Sequence, residues 1–207
     1  QCLALLVKAE EEFGTVDVLV NNAGMHSRGD LETVDPADVG AMVDINIRAP
    51  LVLSCAAIPY LRRAGGGGIV MVGSLAGMAP LQGAATYSGT KAGLRAFAYA
   101  LADEMRGTGI HVGVVSPGPI DTGFIMDEID KVEDIVFSQP MSSPGDVADA
   151  VLSLAVGDKL EIPMPAASGK LTNLGYLFPK LRRYLRPKLY AKGRKNKDKY
   201  RNRQVNE

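Results

Sequence analysis

The sequence predicts an α/β protein whose strands form one parallel sheet. Two observations lead there. Segments with strand and helix periodicity alternate along the 207 residues. The strand-like runs are apolar on both faces and end in loops of small residues, as buried parallel strands do.

Each element follows from its own local pattern. "CLALLVKAEEEFG" is apolar at helical spacing and closes on Gly14 as a C-terminal cap. "VDVLVNNAG" is a β-branched run stopped by Asn-Asn and Gly, a strand entering a loop. "DPADVGAMVDINIRAPLVLSCAAIPYLRR" is a long helix with Asp35 as N-cap and Pro36 at its first position. The glycines at 65–68 end it, and "GIVMVGS" is the next strand. A helix then runs through Tyr87 and Lys91 to about Arg106. "GIHVGVVSPGPIDT" is a third strand with a Pro/Gly turn. "SPGDVADAVLSLAV" is a helix capped by Ser143, and "KLEIPMP" is a short last strand. Strand–helix–strand connections of this kind cross over right-handed. Ligands bind such sheets beyond the carboxyl ends of the strands. There the sequence puts "NNAG", "GSLAG" and "SPGPIDT", all rich in small residues that let a ligand approach the backbone.

Composition narrows the class. Apolar residues are 46% and charged residues 22%, a globular balance. The net charge of zero hides an asymmetry. From residue 170 onward thirteen Lys or Arg face two acids, whereas the preceding body is acidic. Two cysteines, Cys2 and Cys55, make no disulfide framework and read as helix-packing residues; no Cys/His cluster suggests a metal. No signal peptide is apparent, and the location expected is cytoplasmic. The stretch from Ala64 to Thr90 is uncharged but holds eight glycines, so it does not read as a membrane helix.

Tyr87 and Lys91 are four residues apart, which puts both on one helix face. A phenol of pKa about 10 is a poor base at neutral pH, and a fixed ammonium beside it favours phenolate. Lowering that pKa by about three units needs about 4 kcal/mol, more than one lysine supplies, so a second cation is expected nearby. Ser74, at the end of a strand, can hold a substrate oxygen. Asn46 lies within a helix it does not favour, which points to water binding or backbone bonding. Alone, each has a plain structural reading: a turn serine, a polar residue at a bend, a buried tyrosine.

Taken together, "NNAG", Asn46, Ser74, "YSGTK" and "SPGPIDT" resemble the short-chain dehydrogenase/reductase family in order and spacing, over roughly residues 1–165. The resemblance implies a Rossmann-type sheet and hydride transfer between NAD or NADP and an alcohol or carbonyl substrate. It makes Tyr87 the acid/base. Lys91 lowers its pKa and holds the nicotinamide ribose, Ser74 orients the substrate oxygen, and Asn46 holds a relay water. Asn21 bonds within the sheet and counts among the cofactor-binding residues. Asn22, Ala23 and Gly24 line the adenosine side of the cofactor. Pro117, Gly118, Ile120 and Thr122 approach the nicotinamide and pyrophosphate. The family also implies a homo-oligomer formed through the helix after Asp35 and the helix of Tyr87.

The sequence departs from the family at its start, where a TGxxxGxG turn is expected and absent. This predicts a fragment of a longer chain, with the sheet incomplete on its N-terminal side and the "VDVLVNNA" strand at an edge. NAD and NADP then cannot be distinguished, and these residues alone are expected to bind cofactor weakly and to be inactive. The competing reading is a non-catalytic remnant serving as a binding or scaffold module.

After "PGPIDT", the segment "GFIMDEIDKVEDIVFSQPM" occupies the place of the family's substrate flap. Phe124, Ile125 and Met126, with Met78 and Leu81, predict a hydrophobic substrate; packing of the flap itself is the alternative. Residues 166–207 form a separate basic tail. Leu174, Leu177, Phe178, Leu181, Leu185 and Leu189 recur at helical spacing among basic residues. This suits a peripheral helix on an anionic membrane surface, or docking of the leucine face on the body. Nonspecific nucleic-acid attraction is a third reading, and nothing indicates a specific nucleic-acid partner. Pro187 is expected to kink or end the helix, with 191–207 disordered.

Overall fold

The computed structural model describes residues 2–204. Four parallel strands lie side by side in chain order: β1 (Val18–Asn21), β2 (Gly67–Val72), β3 (Ile110–Pro117) and β4 (Glu161–Met164). The register pairs Asn21 with Met71, Val72 with Val115, and Pro117 with Met164, so the strand ends and their loops fall along one edge of the sheet. This is the parallel sheet with flanking helices expected from the sequence, with β1 at the edge.

Strand alternation divides the core in two. Ile69, Met71, Val112 and Val114 face helices α1 (Cys2–Phe13), α3 (Ala49–Arg63) and α5 (Ala85–Glu104), burying Leu6, Leu61, Leu94 and Leu101. Val70, Val72 and Val115 face the opposite way onto Val147, Ala150 and Leu154 of α7 (Pro144–Val156). The Ser143 capping box starts α7 as expected. On the α7 side of β1 no described helix covers Val18 and Val20, which stay 42% and 41% exposed.

The long helix after Asp35 has three parts. The Asp35 side chain caps α2 (Pro36–Val43) by accepting from the Ala37 amide. A π segment, Asp44–Arg48, follows, with the Ala49 amide bonding Asp44 five residues back. Then comes α3. The π turn lies just before Pro50, which has no N–H to return to the carbonyl of Asn46. By length and composition Pro36–Arg63 could span a membrane; here it packs on α1, α5 and the sheet. Cys55 faces outward rather than into the packing.

The C-terminal region differs from expectation. Helix α8 (Ala166–Leu177) follows β4, and α9 (Pro179–Gln204) runs unbroken through Pro187 and on through the segment expected to be disordered; residues 205–207 lie outside the described ones. Pro187 is exposed, so the carbonyl that loses its helical donor there is not trapped without water. What holds the last turns is tertiary. Lys197 Nζ, buried, donates to the Val132 carbonyl (2.6 Å), and Arg194 pairs with Asp134 (3.0 Å). Asn196 donates to the Phe137 carbonyl (2.9 Å), and Arg201 pairs with Asp130. Gly193 sits so close that a Cβ there would collide with the Asp134 carbonyl. Thus α9 docks on the flap mainly through polar contacts, with the Tyr200 ring against Phe137 adding an apolar one. The leucine face is divided: Leu174, Leu177, Phe178 and Leu181 are exposed, whereas Leu185 and Leu189 are half-buried, Leu189 lining the cavity at the carboxyl ends of the strands.

Candidate active site

The three strand-end loops converge on a cavity of about 740 Å³. Asn22, Ala23 and Gly24 follow β1, and Ser74 follows β2 as N-cap of the short helix α4 (Leu75–Met78). Pro117, Gly118, Ile120 and Thr122 follow β3, and Tyr87 and Lys91 reach in from α5. Leu81, Phe124 and Ile125 also line it. Four expected residues do not. Asn21 turns into the protein, donating to Ser54 Oγ (3.1 Å) and contacting the Met71 sulfur (3.2 Å), which ties β1 to α3 and β2. Met78 is buried beneath the wall, and Met126, ending the short helix α6 (Gly123–Met126), packs with Ile129, Val132 and Phe137 inside the flap. Asn46, fully buried, accepts from the Met25 amide and donates to the Met25 carbonyl (2.9 Å each), and donates to Thr90 Oγ1 (3.2 Å). Its amide group therefore clamps the loop after β1 onto α5.

The electrostatics differ from what helix spacing suggests. Lys91 is 4% exposed, and its ammonium donates to the Val72 carbonyl at 2.8 Å, lying 5.7 Å from the Tyr87 ring centre. Burial lowers the Lys91 pKa to about 8. Burial also pushes the Tyr87 phenol above its usual value, opposed by its hydrogen bond with Ser74 and by the charge of Arg28. Arg28 is thus a second cation acting on the phenol, while the Lys91 ammonium beside the ring is engaged by a carbonyl at the end of β2.

Arg28 and His26 were not among the residues expected from sequence. The His26 ring stacks on Tyr87 with centroids 4.1 Å apart and planes 12° from parallel. Burial, then Arg28, lowers its pKa to about 4, against a smaller opposing effect of Glu128. Its Nε2 is buried without a hydrogen-bond partner. Arg28 meets His26 Nδ1 (3.0 Å) and reaches across to the flap, donating to the Phe124 carbonyl (2.7 Å) and pairing with Glu128 (3.3 Å). The signal available was position, two and four residues after "NNAG". Helix α8 was missed as well. Ala167, Ser168, Leu171, Thr172 and Gly175 line the cavity at spacings that make one helical face.

These residues suit the nicotinamide half of a dinucleotide. Asn46 Oδ1 and Lys91 Nζ lie 3.3 and 3.4 Å from where a Cβ at Gly24 would sit, so glycine leaves room for a ring or ribose beside an ammonium donor. Among the described residues no glycine-rich strand-to-helix turn faces the cavity to take the pyrophosphate.

The sequence model of the short chain dehydrogenase family matches residues 1–133. The ketoacyl reductase HetN of Nostoc sp. is 31% identical over 163 residues, covering 78% of this chain and 56% of that protein. The chain spans about half to two thirds of the length of the curated relatives it matches. A 3-ketoacyl-(acyl-carrier-protein) reductase from Brucella melitensis, solved with NADH, superposes with a TM-score of 0.70 at 25% identity, over 79% of this chain and 72% of that one. A gluconate 5-dehydrogenase from Burkholderia cenocepacia, solved with NADP and tartrate, gives 0.73 at 21% identity, over 82% and 71%; at that identity the likeness speaks to fold alone.

Proposed function

The chain belongs to the short chain dehydrogenase family, and from that premise we propose that it carries the proton-handling and substrate-facing part of an NAD- or NADP-dependent oxidoreductase acting on an apolar alcohol or carbonyl. The observation that carries this reading is the convergence of Ser74, Tyr87 and Lys91 on one cavity at the carboxyl ends of the strands. Residues 1–165 form the catalytic unit in this reading, and 166–207 are its outer wall.

When bound, the nicotinamide supplies or takes the hydride at the substrate carbon. The chain's own residues handle the oxygen. Ser74 Oγ donates a hydrogen bond to it and fixes its position. In reduction the Tyr87 hydroxyl gives its proton to that oxygen; in oxidation the phenolate takes it back. Desolvation raises the phenol pKa, which suits the donor role; Arg28, and Lys91 once drawn from Val72 by a ribose, favour the phenolate. Asn22, Ala23, Gly24 and Lys91 hold the ribose side, with Pro117, Gly118, Ile120 and Thr122 opposite. Asn46 sets the loop of Met25 against α5, and with it the distance across the site.

In the full-length protein, Tyr87→Phe should lower kcat by about 10²–10⁴-fold with folding unchanged. Turnover within threefold of wild type would end this reading in favour of a non-catalytic binding module. The proposal extends to a cytoplasmic protein that is a homo-oligomer through Pro36–Arg63 and α5; Val43, Ile45 and Val52 stand exposed there. It also includes peripheral contact with anionic membrane at the α8–α9 bend. Leu177 (71% exposed) and Tyr184 (72%) project there, with the exposed Lys180 and Arg183 close by in sequence.

A further inference from the structure

The cavity has a sign. None of its lining residues is Asp or Glu, whereas Arg28, Lys91, Arg182 and Lys192 all line it. Two of these cations are accounted for: Arg28 is paired with Glu128, and Lys91 bonds Val72. Arg182 and Lys192 stand apart. Both come from α9, and among the described residues neither side chain has a hydrogen bond or ion pair. Their neighbours on the same helix do: Arg194 and Lys197 are tied to Asp134, and Arg201 to Asp130. Acids are therefore within reach of α9, yet Arg182 and Lys192, like the non-lining Lys180, Arg183, Lys188, Lys195 and Lys199, pair with none among the described residues; what distinguishes the two is that they line the cavity.

The place of Arg182 is set by packing, while Lys192 is exposed at the surface end of the lining. The stem of Arg182 lies against Gly175 of α8, with Cδ 3.7 Å from a Cβ built there. Helix α8 packs in turn on α4, the helix that Ser74 caps. Much of the rest of the lining is apolar, including Leu81, Ile135, Val136, Leu171 and Leu189, with Ser138, Gln139, Ser168 and Thr172 as its uncharged polar members.

We infer that the substrate is an anionic amphiphile: an apolar chain with its carbonyl or alcohol at Tyr87 and Ser74, and a carboxylate or phosphate held by Arg182 and Lys192 at the rim. An unpaired cation at the mouth of an apolar cavity favours an anion by charge-assisted hydrogen bonding. The apolar part of the lining selects the chain. The inference rests on the oxidoreductase reading only for which end of the ligand reacts.

The test is calorimetry on the full-length protein with decanol, decanoate and decyl phosphate, in the presence of reduced cofactor. Wild type should bind at least one of the two anions about tenfold or more tighter than decanol, and the tighter of the two identifies the head group. Arg182→Gln/Lys192→Gln should remove that gap, with the melting temperature checking the fold. Equal affinity for all three ligands in wild type, or a gap that survives the double substitution, overturns the inference. So does a double variant that loses affinity for cofactor and keeps the gap, since the cations would then serve the cofactor's phosphates. The Tyr87→Phe variant separates the two proposals. Loss of turnover with the gap intact supports both. Turnover that survives with the gap intact removes the oxidoreductase role and leaves the anion site. A wild type with turnover and no gap removes only the anion site.

Discussion

At the scale of single residues, the pair singled out by spacing, Tyr87 and Lys91, is less direct than one helical turn suggests. Burial works on both in the direction that disfavours charge. The residue beside the phenol is His26, stacked on it and neutral over most of the pH range. Its pKa is about 4 in the fold, against 6.5 for the free side chain. The unfolded chain therefore binds the proton more readily between those values. Stability should be full above about pH 6.5 and fall as pH drops towards 4. His26→Gln should flatten that limb of a melting-temperature profile while leaving the values above pH 7 nearly parallel; an unchanged acid limb would show that His26 does not titrate as placed. Ser74, Tyr87 and Lys91 were legible in the sequence because each lies in a short local motif. His26 and Arg28 were not, because what gives them meaning is a partner far along the chain: Arg28 bonds Phe124 and Glu128, 96 and 100 residues away.

At the scale of elements, strands and helices were legible wherever local pattern and tertiary environment agree. The β-branched runs ending in Asn, Gly or Pro are the strands, and Asp35 and Ser143 cap helices as their positions suggest. Helix α9 is where they disagree. Pro187 and Gly193 oppose helix locally, and so does like-charge repulsion among Lys188, Lys192, Lys195 and Lys199, three or four residues apart. The contacts that overrule them are with residues 130–138, which no local pattern reveals. Gly193 is the sensitive point. Gly193→Ala favours helix by about 1 kcal/mol in isolation, yet its methyl would meet the Asp134 carbonyl. The expected outcome is a net loss of about 1–3 kcal/mol in docking, typical of overpacking. Hydrogen exchange should show protection falling together in α9 and in the flap around 129–138, while β2 and β3 stay protected. Equal or greater protection would mean the two do not depend on each other.

At the scale of the whole molecule, the surface carries apolar regions of different character. Around Val18 and Val20 no described helix covers the sheet face. Along Pro36–Arg63 the exposed Val43, Ile45 and Val52 suit a second copy of the chain, and sedimentation velocity of the full-length protein should give a dimer or larger; a monomer at micromolar concentration would remove that part of the proposal. At the α8–α9 junction the exposed apolar residues alternate in sequence with the exposed Lys180 and Arg183. Vesicles containing anionic lipid should therefore pull down the protein at low salt. Binding should be lost when Leu177, Phe178 and Tyr184 are all replaced by Ser, and weakened by salt. Binding equally strong to neutral vesicles would point to hydrophobic contact alone.

The docking of α9 on the flap also has a consequence for how the molecule comes into being. The flap leaves the ribosome first; the side chains that fasten it, Asn196 and Lys197, follow 59 and 65 residues behind the carbonyls they bind. At about 5–20 residues per second of synthesis, the nascent chain spends several seconds with Ser74, Tyr87 and Lys91 already out and the flap unfastened. During that interval the apolar lining is open to water and to other chains. A chaperone that shields flap residues 123–138 would act in that window, and a stalled or clipped chain would remain in it.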